Sequence, residues 1–391
     1  MIKGSAIMIF PGAFNLDPNT VFMNHGSVGV LSNPVYDEQV RYQRLMQEQP
    51  LRFFRSHLPP LLEENRSCLA DFLNWSSENL IFDFNATAAL NIAIRSLPLS
   101  NNDEVLLTNM EYEPLLSCWR YHQQQIGYST RIAEIPRYVD HPQACIDAIE
   151  RCITKKTRVL YFSHVTSPTG LILPAKEITK MARERGIIVV IDGAHVPGHI
   201  PLDLTAIQAD MYVANLHKWL GTPISTAFLA VAPALQDRLI PNIITWGFDH
   251  IYGSMNAFQS RFYSQGTRDY IPFLCIKQAV AFIQKLHDAG LFEYGHVLVS
   301  QIMRLLHDRY GFPYFYPPES ELYGMMAAVA IKPEHTTGLE EQLSNDDNIA
   351  IVVGVQNGIG SMRFTGYAYN HPSEHDRLLH ALDKHRSRWE P

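Results

Sequence analysis

Residues 187–195, Ile-Ile-Val-Val-Ile-Asp-Gly-Ala-His, constrain the fold more than any other stretch of this chain. A run of β-branched residues closed by an acid and a glycine reads as a strand buried on both faces, the kind found inside parallel sheets. It delivers the Asp192 carboxylate to the carboxyl edge of the sheet, which is where α/β proteins bind ligands. A second such run, Met211-Tyr-Val-Ala-Asn-Leu-His-Lys-Trp219, leads into Lys218, 26 residues after Asp192. A helix-free crossover and a short strand fit that gap.

The surrounding pattern agrees. From about residue 60 to 230, helical-period segments alternate with short apolar runs, as in an α/β domain with a mostly parallel sheet. The other strands are read at Asn79–Phe84, Glu104–Thr108, Val159–Ser163 and Ala227–Val231. Helices are read at Ala86–Arg95 behind the N-cap Asn85, at Pro142–Cys152, and at Ala175–Arg185 before the stop Gly186. Beyond Gly266 the pattern becomes α+β: helices near Pro272–Ala289 and Gly295–Tyr310, strands around Met325–Ile331 and Ile349–Val353, and a final helix Ser373–Arg386. This divides the chain into a large domain over 20–270 and a small one over 271–391, joined by residues 1–19.

Composition narrows the ligand. Of 391 residues 46% are hydrophobic and 18% charged, enough for a substantial core, and the formal net charge is −7. With no basic tract, neither nucleic acid nor an anionic membrane is the expected partner; a small molecule is. No apolar run has membrane-spanning length. The segment Ala6–Phe10 lacks a cleavage pattern and meets Pro11, so no secretory signal is read. Five scattered cysteines without a C-x-x-C suit a reducing, cytoplasmic setting.

The dinucleotide, nucleoside-triphosphate and zinc-protease motifs G-x-G-x-x-G, G-x-x-x-x-G-K-[ST] and H-E-x-x-H are all missing. Asp192, His195 and His199 cluster, but Pro197 and Gly198 break any helix that would align the imidazoles, so no metal site is expected. An Asp and a Lys at neighbouring strand ends do match the needs of pyridoxal phosphate. The lysine amine forms a Schiff base with the aldehyde, and the carboxylate keeps the pyridine nitrogen protonated as an electron sink.

Asp192-Gly-Ala-His195 with Asn215-Leu-His-Lys218 resembles the class V aminotransferase superfamily of fold-type I pyridoxal-phosphate enzymes. The segments Phe22-Met-Asn-His-Gly-Ser27, Pro50-Leu-Arg-Phe-Phe-Arg55, Ser163-His-Val-Thr-Ser-Pro-Thr-Gly170, Gly266-Thr-Arg-Asp269, and Arg363 with Tyr369-Asn370 are similar to its isopenicillin N epimerase-like branch, in order along nearly the whole chain. The resemblance implies a mostly parallel, seven-stranded type of sheet flanked by helices, plus a smaller α+β C-terminal domain.

It also implies roles. The amides at Ala86 and Thr87, with the Thr87 hydroxyl, would hold the cofactor phosphate at a helix N-terminus. Tyr112 would stack on the pyridine ring, Ser167 and His195 would contact its phenolic oxygen, and Asn215 and His217 would stand near the phosphate beside Lys218. Gly266 and Thr267 would reach the phosphate of a neighbouring subunit, making the active site depend on a homodimer. Arg363 would grip the substrate carboxylate as a planar fork, with Asn24, His25 and Arg55 on the substrate side.

The reaction is less constrained, since the cofactor does the hard chemistry and the protein chooses the exit. Residues 340–362 hold no cysteine, which sets aside desulfuration by a nucleophilic thiol. The leading expectation is epimerisation of an amino acid or derivative, with Lys218 as base and His195 or a tyrosine as second acid. A C–S lyase acting on a cysteine-derived substrate and a transaminase are the alternatives. A non-catalytic binding protein of the same fold is the reading from another class.

Overall fold

The computed structural model describes residues 10, 12–356 and 358–386. Most of the segment Ala6–Phe10 considered above therefore lies outside the described residues. Among those described, the strands are β1 (Val21–Phe22), β2 (Leu80–Asp83), β3 (Glu104–Thr108), β4 (Ser129–Ala133), β5 (Thr157–Ser163), β6 (Ile188–Asp192), β7 (Met211–Asn215), β8 (Ala227–Val231), β9 (Met326–Ala330), β10 (Ile349–Ala350), β11 (Val352–Gln356) and β12 (Ile359–Thr365).

Seven of them form one sheet in the order β2-β8-β7-β6-β5-β3-β4. Neighbours run parallel except at β8, which is antiparallel to both β2 and β7. The period of two sorts side chains onto two cores. Val159, Tyr161, Val190 and Val213 face the Ala86–Arg95 helix side, while Leu160, Phe162, Val189, Ile191 and Phe228 face the other. Both faces are covered, which is why β6 reads as continuous Val and Ile rather than as an alternation. The Ala86–Arg95 helix begins where Asn85 caps it, the Asn85 Oδ1 accepting the Ala88 amide at 2.8 Å.

The second sheet is three-stranded and antiparallel, in the order β11-β12-β9, and the Leu291–Tyr310 helix packs on β9. A short parallel pair joins β1 to β10. The N-terminal segment thus belongs with C-terminal elements through at least Phe22, a little beyond residue 19. Further along, the Gly29 amide donates to the His217 carbonyl at 3.0 Å. A Cβ on Gly29 would strike the Lys218 carbonyl, so this close approach needs glycine.

The structure departs from the sequence reading in several places. The β6–β7 crossover is not free of helix: Leu204–Ile207 makes one turn, capped by Asp203, whose Oδ1 accepts the Ala206 amide at 2.8 Å. The Pro272–Ala289 segment is two helices, Ile271–Leu274 and Ile276–Asp288, parted at Cys275. β4 and β12 were not anticipated. No described helix is long and apolar enough to cross a membrane.

Candidate active site

The carboxyl ends of β5, β6 and β7, with the loops after β2 and β3, converge on a cavity of about 430 Å³, closed on its far side by β11 and β12. At its floor the Lys218 Nζ stands 3.2 Å from the His195 Nε2. Burial lowers the Lys218 amine to about 8, helped by the Arg363 charge and opposed by Asp192. A neutral, nucleophilic amine is thereby accessible near neutral pH. The His195 ring is held far below its ordinary range by burial first, then by the Lys218 and Arg363 charges.

Asp192 Oδ1 accepts the Ala194 amide at 2.9 Å and Oδ2 accepts the Tyr161 hydroxyl at 3.3 Å. Burial pushes this carboxyl up, while those donors and Lys218 pull it back. A cationic partner such as a pyridinium nitrogen would complete the compensation. Behind it sits Glu111, fully buried and unnoticed in the sequence. Its carboxyl accepts the Thr108 hydroxyl at 2.5 Å and the Ser163 hydroxyl at 2.7 Å. Burial, reinforced by the nearby Asp192 charge, raises it to about 7.

The residues expected near the cofactor phosphate meet at the start of the Ala86–Arg95 helix, whose positive end favours an anion. The Ala86 amide is taken by the Asn215 Oδ1 at 2.8 Å. Asn215 therefore fastens β7 to the helix, and Thr87 is left facing the cavity. The His217 Nδ1 lies 3.0 Å from the Thr226 carbonyl and must carry a proton to donate to it. Its Nε2 can then donate to a phosphate only as imidazolium. Burial lowers this ring to about 4, and a bound phosphate dianion would favour the charged form.

Arg363, on β12, reaches across to the large sheet. Its Nη1 donates to the Ser167 carbonyl at 2.6 Å and approaches the Ser167 Oγ at 3.3 Å, and its Nη2 donates to the Ser27 Oγ at 2.9 Å. The Nε is buried without a partner, and among the described residues no carboxylate pairs with the guanidinium. Burial lowers it to about 10. A buried cation left uncompensated is costly, and a ligand carboxylate would relieve it.

Tyr112, 40% exposed, and Ser167 also line the cavity. Asn24, His25, Arg55, Gly266 and Thr267 do not. Asn24 stands one layer back, its Oδ1 accepting the Ser27 hydroxyl at 2.7 Å and so orienting the group that holds Arg363. His25 is core: it stacks on Tyr367 at 3.8 Å, and its Nδ1 meets the Tyr369 hydroxyl at 2.9 Å. In Phe53-Phe-Arg55 it is Phe53 that is buried, and Arg55 is turned to solvent on a π-helical turn. Gly266 and Thr267 lie on an exposed loop away from this cavity. His199 uses both ring nitrogens within the protein, on the His195 carbonyl and the Met325 amide.

The cavity therefore offers an amine, a buried carboxylate beside it, a helix N-terminus with Thr87 and His217, and a guanidinium with no carboxylate partner among the described residues. The His195 Nδ1 and the Arg363 Nε are both buried without hydrogen-bond partners among the described residues. That donor set suits pyridoxal phosphate together with an amino-acid carboxylate.

Known proteins agree with the geometry. Residues 50–378 match the family "Aminotransferase class-V". The chain is 33% identical over 387 residues to an isopenicillin N epimerase from Streptomyces clavuligerus, covering 95% of this chain and 96% of that one. It is 23% identical over 309 residues to a hercynylcysteine sulfoxide lyase from Schizosaccharomyces pombe, covering 78% and 79%. A solved C-DES variant with glycine covalently linked to its PLP cofactor superposes with a TM-score of 0.82 at 19% identity, over 93% of this chain and 96% of that one. The mostly parallel seven-stranded sheet, the cavity chemistry and these matches lead to one conclusion: the chain is a member of the class-V aminotransferase family, a pyridoxal-phosphate enzyme of fold type I.

Proposed function

We propose that this enzyme inverts the α-carbon of an amino acid or amino-acid derivative, in the manner of an isopenicillin N epimerase. The observation that carries this reading is the placement of Lys218, Asp192 and the unpaired Arg363 around one cavity. Pyridoxal phosphate, when bound, supplies the electron sink for the charge left as an α-bond breaks.

The chain's own residues do the rest. Arg363 orients the substrate through its carboxylate, with Ser167 and Ser27 fixing the fork. Thr87, His217 and the helix N-terminus hold the phosphate, and Asp192 holds the pyridine nitrogen. Lys218, once freed, takes the α-proton; its amine, lowered to about 8, makes it a base at physiological pH. His195, within hydrogen-bond reach of Lys218 and kept neutral by burial, accepts a hydrogen bond from that amine and orients it. Tyr112, which lines the same cavity within electrostatic reach of Arg363, is then the second acid. A C–S lyase reading draws on the same groups and on the relative of that name.

A homodimer with a shared site is part of this proposal. Ile240, Ile244, Trp246, Phe248 and Ile251 stand exposed along one segment, Trp246 to 75%, shortly before the Gly266–Thr267 loop. Such a row is out of place on a monomer's surface. Five free thiols support a reducing, cytoplasmic setting.

The test is a panel of amino acids incubated with holoenzyme in heavy water, read by mass spectrometry and chiral chromatography. Deuterium in recovered substrate together with inversion is the expected result. Pyruvate release without exchange into recovered substrate overturns epimerisation in favour of the lyase. The same holoenzyme, sized by light scattering, should run as a dimer; a fully active monomer would remove the shared site.

A further inference from the structure

The β11–β12 ribbon carries two glycines on opposite faces, and packing explains only one of them. Gly360, opposite Val355, lies against the next segment, where a Cβ would strike the Ile331 carbonyl. Gly354, opposite Ser361, is different: a Cβ there meets nothing within 4 Å. Nor does Gly354 have the positive φ that favours glycine. A glycine within Val352-Val-Gly-Val-Gln356 weakens a strand that its neighbours favour, and such a residue often marks the close approach of a ligand.

We infer that the space above Gly354 seats the substrate's side chain, and that the first three or four atoms of that side chain are uncharged. Directly opposed residues of an antiparallel pair project to one face, so Val352 with Arg363, and Gly354 with Ser361, stand side by side towards the cavity. Successive pairs on one face are about 7 Å apart along the strand. If Arg363 holds the carboxylate, the gap lies one such step away, a span that extended chain crosses in about six bonds. Val352, Gly354, Ser361 and Gln356 bring no charge to this wall.

The wall is also closed at its far end. The Gln356 Nε2 donates to the Glu111 carbonyl at 3.0 Å, tying the ribbon across the cavity to the loop that carries Tyr112. The side chain is thereby confined between Gly354 and the Tyr112 and Leu115 side of the cavity. This inference rests on the amino-acid reading above.

The test uses holoenzyme and its Gly354→Val variant, titrated with L-alanine, L-norvaline, L-norleucine and L-glutamate while the cofactor absorbance is followed. The open space and the β-branched neighbours leave the variant free to fold. In the wild type, affinity should rise about fourfold for each methylene from alanine to norleucine, and glutamate should bind at least about tenfold more weakly than norvaline. In Gly354→Val, alanine should change by less than about twofold and norleucine should weaken by about tenfold or more. A uniform loss across the series, or an unchanged norleucine affinity, overturns the seat at Gly354; glutamate matching norvaline overturns its uncharged character. If none of the four alters the wild-type absorbance, the amino-acid reading fails and this inference fails with it.

Discussion

Two surfaces face the same cavity and are built on opposite terms. On the sheet edge, Asp192, Glu111 and His195 are withdrawn from water and bound by protein donors and charges, and each has its protonation moved away from its ordinary range. On the β11–β12 ribbon a single charged group, Arg363, is followed by a glycine, a serine and a glutamine. Proton chemistry near neutral pH needs groups removed from solvent. Recognition of a side chain needs spare volume and few charges. The molecule keeps these two requirements on separate sheets, linked through the Arg363 charge, which helps lower Lys218 and His195.

That separation can be broken from either side. The largest effect is expected for Lys218→Ala, which removes the proposed covalent anchor: kcat should fall by at least about a thousandfold, with loss of the absorbance of the bound cofactor. A variant that keeps both would move the reactive amine elsewhere.

Glu111→Gln tests the buried side of the sheet edge through stability. Glu111 is raised to about 7 when folded, against roughly 4.3 in an unfolded chain, so the folded protein binds the proton more tightly. Its stabilising contribution is full below about pH 4 and is lost as pH rises through about 7. Glutamine does not titrate. In urea unfolding of the cofactor-free protein, the variant should therefore gain on the wild type between pH 5 and pH 8, by up to about 3 kcal/mol. A constant offset over that range would mean that Glu111 stays ionised throughout.

The smallest effect is expected on the ribbon. Arg363→Lys keeps the charge but loses the second prong of the fork, so KM should rise about tenfold with kcat little changed. An equal fall in kcat would place Arg363 among the groups that act in the transition state, and the two surfaces would not be separable.

The sheet edge was legible in the sequence because its strands are continuous apolar runs ending in chemically marked residues, Asp192 and Lys218 above all. β4 was missed because it is an edge strand: Ser129, Arg131 and Ile132 are exposed and the run carries little apolar signal. β12 contains Gly360, Ser361 and Arg363, so its burial comes from β9 and β11 on either side rather than from composition. Glu111 lies in a turn between Met110 and Tyr112, and only Thr108 and Ser163, brought together by sheet pairing, show that it is buried. Asn24 and His25 are set on the substrate side by the family resemblance of Phe22–Ser27, not by any chemistry of their own. The turn from Asn24 to Ser27 puts only Gly26 and Ser27 on the cavity and sends the His25 ring inward to Tyr367.

The Ser27–Arg363 contact has a consequence for the order of synthesis. The two residues are 336 positions apart, and β1 waits for β10 across a comparable span. The residues proposed to hold the cofactor, from Ala86 to Lys218, leave the ribosome well before Arg363; at 5–20 residues per second the interval is on the order of 10 s. Through that interval β1 has no β10 to join and the proposed carboxylate grip does not exist. A nascent chain can therefore present the surface proposed to meet the cofactor before it has the arginine proposed to hold an amino acid by its carboxylate.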